Sequence, residues 1–187
     1  IGNRSHEDFL QEAEKFFEDY SSNEAVFPAV MPHGSYTVSP EHLKEAKKIA
    51  AKYNGLYHIH AAETLTEQSD INERYGESVI RHLHSHGLLD QQAILAHCVH
   101  LDDTEIQLIA ENESIVVHNP MSNLKLGSGI APIDKMFEAG VTLTLGTDGA
   151  ISGNDLDMWL TMRLAASLPK GNTLDPKVMN AKTVLHM

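Results

Sequence analysis

Apolar residues recur along this chain in two alternating rhythms. Across residues 5–20, Phe9, Leu10, Ala13, Phe16 and Phe17 fall at helical spacing with acids between them. That spacing predicts an amphipathic helix, and its acidic side reads as a solvated face with no further role. A short apolar run over residues 25–32 predicts a strand that ends in a loop at Pro32-His33-Gly34. Ser39-Pro40-Glu41-His42 then opens a helix. Ser39 is its N-cap and Pro40 its first residue, where a missing N–H is no loss. This helix is predicted to reach about residue 53, where Asn54-Gly55 stops it.

The same order then repeats. Strands are predicted over residues 56–61, 93–99, 114–118 and 141–146, and helices over 72–86, 102–111, 132–139 and 154–168. Residues 119–129 read as a long polar loop. Strands that alternate with helices through short connections imply parallel βαβ units with right-handed crossovers. Such units build either an open doubly wound sheet or part of a closed (β/α)8 barrel. Here His33, His60, His97, His118 and Asp148 each fall at or just beyond the C-terminal end of a predicted strand. Functional residues from successive strands converge on that rim in a barrel, whereas an open sheet gathers them at one switch point. The expected fold is α/β, a partial (β/α)8 TIM barrel. A complete barrel takes about 250 residues. The 187 residues are therefore expected to form one domain, the second half of a barrel cut from a longer protein.

Composition narrows the partners. Hydrophobic residues make up 42% and charged residues 21%, a globular balance. Fourteen basic residues face 26 acidic ones, for a net charge of −12. That excess argues against nucleic acid or an anionic membrane surface as a partner. No apolar run approaches the ~20 residues of a membrane span. The single Cys98 permits no internal disulfide, and no secretory leader is evident, so a soluble cytoplasmic protein is expected. Twelve histidines against one Trp direct attention to chemistry.

On a strand, His58 and His60 point to one face, and Glu63 lies three residues further on, in the loop. A His ligand with a nearby carboxylate that does not bind the metal suits hydrolytic metal chemistry, because metal-bound water needs a group to carry its proton away. Zinc deaminases use a Glu in that role. His58 by itself reads as a core residue. His97 and Asp148 end their strands on the same rim, although an Asp beside Gly149 can equally cap a turn. His118, Asn119, Ser122 and Asn123 carry the same ambiguity. His82, His84 and His86 precede Gly87 in a last helical turn, where they suit the helix dipole better than chelation. Cys98 reads as a small buried residue, and Met158, Trp159 and Met162 as a helix face packed on the barrel.

These segments carry a resemblance. The chain resembles the amidohydrolase superfamily, in the branch of 5-methylthioadenosine/S-adenosylhomocysteine deaminases, guanine deaminases and triazine chlorohydrolases. The resemblance covers nearly everything from Pro32 onward. It rests, in order, on Pro32-His33-Gly34-Ser35-Tyr36-Thr37, His60-Ala61-Ala62-Glu63-Thr64, Ala96-His97-Cys98-Val99-His100, the stretch from His118 to Pro132, and Gly146-Thr147-Asp148-Gly149. The fourth of these is the most specific.

What the resemblance implies is one divalent metal, zinc or iron. An HxH pair after the first strand, a His on the fifth and an Asp on the eighth hold it. His60 matches the fifth-strand ligand and Asp148 the eighth. Glu63 matches the acid that moves a proton from water to a substrate ring nitrogen. His97 matches a His that touches the attacking water, and His33 one that lines the substrate pocket. The HxH pair has no counterpart here, since His58-Ile59-His60 sits where the fifth strand belongs. The family's first three strands and small β domain are missing as well. Two ligands fall short of the three a catalytic zinc normally keeps, so the chain alone is expected to be inactive.

The implied function is hydrolytic deamination of an adenosine derivative or another small amino-substituted N-heterocycle. A triazine chlorohydrolase is one alternative, and a non-catalytic structural or interaction module is another. A half-barrel with open edges is also expected to form a homo-oligomer.

Overall fold

The computed structural model describes residues 5–20 and 22–187. The elements follow the alternation. Helix α1 (His6–Tyr20) leads to β1 (Ala29–Val30) and α2 (Pro40–Lys52), and β2 (Leu56–Ala61) to α3 (Leu65–Tyr75) and α4 (Val79–Ser85). Next come β3 (Ala93–His97) with α5 (Asp103–Glu111), and β4 (Ile115–His118) with α6 (Pro120–Lys125) and α7 (Ile133–Glu138). The chain ends with β5 (Thr142–Leu145), α8 (Ala150–Gly153), α9 (Met158–Thr173) and α10 (Ala181–Leu185).

The caps explain several of these boundaries. Ser39 accepts the His42 N–H at the start of α2, with Pro40 in the first turn as expected. Asp102 and Glu105 form a reciprocal capping box at α5. The helix predicted over 72–86 is instead two helices. Gly76, at φ +73°, ends α3 in a left-handed turn, and α3 begins earlier, at a cap from Thr64. The predicted loop 119–129 contains α6, which Pro120 opens. The strand expected over 25–32 is only two residues long.

All five strands are parallel, and their spatial order is their sequence order. Each crossover therefore steps the same way, and no reversal creates a switch point. This is the progression of a barrel wall.

The register puts His58, Ile94, Ile115 and Thr142 in one row across β2 to β5, and His60, Ala96, Val117 and Thr144 in the next. Most of these side chains are only partly covered, Ala96 apart. The alternate residues Tyr57, Ile59, Leu95 and Val116 are fully enclosed against helices that supply Leu43, Ile71, Ile80, Leu83, Ile109 and Met136. The core thus lies between the sheet's outer face and the helices, and each buried Leu or Ile stabilises it by about 1.5–3 kcal/mol.

Helix α1 docks on α2 through Phe17, which stacks on Tyr53 at 5.5 Å. Gly55 makes that seat possible: a Cβ there would stand 2.0 Å from the Phe17 ring. Met162 packs against the core as expected, but Trp159 is 74% exposed and Met158 is exposed as well. The predicted packed face is therefore narrower than its spacing suggested. Among the three clustered histidines, His82 is buried and stacks on Tyr75 and His86, and His86 Nδ1 donates to the His82 carbonyl in the helix's last turn.

Candidate active site

The C-terminal ends of β2, β3 and β5 carry four non-glycine residues with left-handed backbone: Ala62 (φ +52°), His97 (+78°), Cys98 (+47°) and Asp148 (+60°). Such conformations cost about 1–3 kcal/mol each and persist only where surroundings enforce them. Their effect here is to aim side chains. Regular alternation would send His97 to the helix side with Ala93 and Leu95. Instead its ring stacks on His60, with centroids 5.5 Å apart and planes 20° from parallel.

Hydrogen bonds fix the tautomers. His60 Nδ1 lies 2.6 Å from the His33 carbonyl oxygen, so Nδ1 carries the proton and Nε2 keeps its lone pair. His97 Nδ1 donates to Asn123 Oδ1 at 2.8 Å. His97 Nε2 then faces Glu63 Oε2 at 3.9 Å and Asp148 Oδ2 at 4.0 Å. The Thr37 hydroxyl donates to the Gly34 carbonyl, so His33 Nδ1 donates to Thr37 Oγ1 at 3.0 Å and leaves its Nε2 free. The His33 ring lies 4.9 Å from that of His60.

Asp148 is held from two sides. Its Oδ2 accepts Ser122 Oγ and its Oδ1 accepts the Gly149 N–H, both at 2.6 Å. Burial pushes its carboxyl up, but those hydrogen bonds and His97 outweigh burial and hold it below the usual range. Burial, helped by His60, pulls the His33 imidazole down, and Glu63 opposes the change. The structure thus gathers all five predicted site residues, His33, His60, Glu63, His97 and Asp148, at one rim. Ser122 and Asn123, read from sequence only as polar loop, turn out to be the partners of Asp148 and His97.

His118, whose role the sequence left ambiguous, is a buried residue at the end of β4. It is 1% exposed, and its Nδ1 has no hydrogen-bond partner. Burial, then His97, depresses its pKa to about 4. A His whose folded pKa lies below its unfolded value stabilises the fold above about pH 6.5 and loses that stability as pH falls through 4. The expected loss is on the order of 2–4 kcal/mol. Urea midpoints across pH 7 to 4 should fall more steeply for the wild type than for His118→Gln, and equal slopes would exclude His118 as the cause. Cys98 is enclosed, and burial pushes its thiol pKa up, so it is an inert packing residue as read.

The sequence profile described as the Amidohydrolase family matches residues 2–187. The chain belongs to that family. The match includes α1, upstream of the point where the motif resemblance began. A 5-methylthioadenosine/S-adenosylhomocysteine deaminase of Carboxydothermus hydrogenoformans is 47% identical over 180 residues, which cover 95% of this chain and 42% of that protein. Among solved structures, an adenosine deaminase from Xanthomonas campestris with bound zinc superposes with a TM-score of 0.93 at 34% identity, over 96% of this chain and 41% of that one. An atrazine chlorohydrolase from Arthrobacter aurescens complexed with zinc gives 0.86 at 27%, over 98% and 41%. The chain spans about two fifths of the length of the relatives it matches.

Family membership makes the metal question specific. His60, with Nδ1 anchored and Nε2 free, and Asp148, ionised and oriented, have the donor chemistry and supporting hydrogen bonds of zinc ligands. They fit as two ligands of such a site and do not complete it. Among the described residues, the one His/Cys/Asp/Glu trio with ligand atoms mutually within 4.8 Å lies elsewhere, at His6, His42 and Glu45. The His6 and His42 rings there stack at 3.5 Å with planes 18° apart. A metal bonds in the plane of an imidazole, and planes so nearly parallel meet far beyond the ~2.0–2.1 Å of a Zn–N bond. That trio is a clasp between α1 and α2, with His6 Nε2 3.1 Å from Glu45 Oε2. A cavity of about 490 Å³ between α1, β1 and α2 has one of the five rim residues, His33, in its lining.

Proposed function

We propose that this chain supplies the Glu, His and Asp machinery of a metal-dependent hydrolase that deaminates an adenosine derivative or a related amino-substituted N-heterocycle. The supporting observation is the convergence of Glu63 and Asp148 on His97 Nε2, at 3.9 and 4.0 Å. In this reading β1 to β5 are the fourth to eighth strands of the barrel. The 187 residues form one domain of it, without the first strands and the small β domain.

A divalent metal, zinc or iron, would be held by His60 and Asp148 with further ligands from outside these residues, and would supply a water acidified from a pKa of 15.7 to about 7. Glu63 would carry one proton of the attacking water to the ring nitrogen next to the amine-bearing carbon as the water oxygen adds to that carbon. Asp148, held ionised, would take the second proton and pass it to the amine, so that the C–N bond breaks, a carbonyl forms and ammonia leaves. His97 Nε2 holds the attacking oxygen in line, and His33 offers an acceptor nitrogen to a substrate N–H or O–H. A triazine chlorohydrolase would use the same residues and expel chloride. The 47% identity to a deaminase against 27% to the chlorohydrolase favours deamination.

The test compares the full-length protein with this chain. The full-length protein is expected to release ammonia from methylthioadenosine or S-adenosylhomocysteine faster than chloride from atrazine. The 187-residue chain with added zinc is expected to release none, because two ligands underhold the metal. Ammonia above a metal-only control, abolished by Glu63→Gln, would show the chain to be competent alone. A full-length protein silent on every such heterocycle would instead favour a structural or interaction module.

A further inference from the structure

Glu67 is buried, carries charge chemistry and has no part in the scheme above. It is the third residue of α3 and 3% exposed. Its N–H donates to Thr64 Oγ1 at 3.1 Å, and its Oε2 accepts the backbone N–H of Glu63 at 2.8 Å. Burial pushes this carboxyl up to about 7, and the backbone N–H groups of Glu63, Ala62 and Thr64 oppose that rise. Its other oxygen is buried without a partner.

The chain contains its own reference for what such a Glu normally does. At α5, Glu105 is equally buried at 3%, and its Oε2 accepts the N–H of the cap residue Asp102 at 2.8 Å. That is an ordinary capping box. At α3 the hydrogen bond falls one residue earlier, on Glu63, and the left-handed turn at Ala62 makes the main chain there a concave row of N–H groups.

A proton shuttle cannot be tied down by its own carboxylate. The Glu63 carboxylate is accordingly held only by long contacts: Ser128 Oγ donates to it at 3.5 Å, and His97 Nε2 stands 3.9 Å away. Its position has to come through its main chain. On one side the Ala62 carbonyl accepts the N–H groups of Val99 and His100, at 2.9 and 3.0 Å, which ties the turn to the exit of β3. On the other side Glu67 holds the Glu63 N–H. We propose that Glu67 is a positioning residue, whose carboxyl oxygen clamps the peptide of Glu63 and so sets where the Glu63 carboxylate stands. The proposal rests on the reading of Glu63 as the proton shuttle.

Reach, not charge, is what this role requires, and two variants separate them. In the full-length protein Glu67→Gln keeps an acceptor oxygen at the same reach, whereas Glu67→Asp keeps the carboxyl group and falls one methylene short. Glu67→Asp is expected to lower kcat ~10-fold or more, since small misplacements of catalytic groups cost up to ~10²-fold. KM should stay within about two-fold and metal content near wild type. Glu67→Gln should retain most of the wild-type kcat, and Glu105→Asp should leave kcat unchanged.

The 187-residue chain gives a readout independent of activity. The Glu63 amide should be protected from hydrogen exchange in wild type and Glu67→Gln, and lose protection in Glu67→Asp. Equal kcat for Glu67→Asp and Glu105→Asp, a kcat loss that tracks metal loss, or an unchanged Glu63 amide would overturn the proposal. Full turnover in Glu63→Gln would overturn the shuttle reading itself, whatever Glu67 does.

Discussion

Glu63→Gln in the full-length protein is expected to abolish turnover while bound metal stays near the wild-type level. His60→Ala and Asp148→Asn should lose turnover and metal together. The difference follows from where each side chain stands. Glu63 touches neither His60 nor Asp148 through any hydrogen bond, and its carboxylate stands 3.9 Å from His97 Nε2. Replacing its carboxylate with an amide of the same shape removes proton transfer, which is worth about 10²–10⁴-fold when the group is well placed. His60 is different. Its Nδ1 is committed to the His33 carbonyl, so its Nε2 is the atom available to a metal, and alanine removes it. Asp148→Asn keeps one acceptor oxygen, for Ser122 or for Gly149, turns the other into an NH2 donor, and removes the charge those two hydrogen bonds hold in place. Ammonia release and metal content measured on the same preparations make the check. Loss of metal from Glu63→Gln as complete as from His60→Ala would defeat the shuttle assignment.

The rim was legible because histidines and an aspartate at successive strand ends are a linear signal. Strand β2 and the Ser39-Pro40 entry to α2 were legible for the same reason, each being written in a few adjacent residues. Helix α3 was not. Leu65 and Ile71 are its only strongly apolar residues before Tyr75, and Leu65 faces solvent, so no apolar stripe marks it. Its start is written in Thr64 and Glu67, a Thr-x-x-Glu signature that capping chemistry could have flagged. The aim of His97 lies deeper still. Alternation sends its side chain the wrong way, and only the left-handed backbone at His97 and Cys98, enforced by N–H bonds from Cys98, Val99 and His100 to the Ala61 and Ala62 carbonyls, turns it to the rim. Asn123 and Ser122 reach their partners because α6 folds the supposed loop back over the strand ends, which is a tertiary fact. The burial of His118 has the same origin.

The 187-residue chain, studied alone, is expected to associate with a second copy. Its sheet is open at both edges, and the inner rows through Leu56, His58, Ile94, Ile115, Val117 and Thr144 are only partly covered. Unpaired edges recruit strands, and closure is how a barrel removes that hazard. The two edges are not equivalent. Strand β1 is two residues long, and a short edge is one of the devices that blunt pairing, whereas β5 offers four residues. A β5 edge can pair antiparallel with the same edge of a second copy about a two-fold axis, which closes the assembly at a dimer. Exposed Ile151, Leu156 and Trp159, in and between α8 and α9 just after β5, add apolar surface on that side. The net charge of −12 opposes approach only weakly, because screening acts within ~8 Å at physiological salt. Light scattering should therefore give a mass above the 20.6 kDa monomer that rises with concentration. Thr144→Lys, a charge on the inner face of the β5 edge, should shift the mass back toward the monomer with its helical signal unchanged. A wild-type mass fixed at 20.6 kDa across a wide concentration range would mean that the β5 edge is protected by its own surroundings.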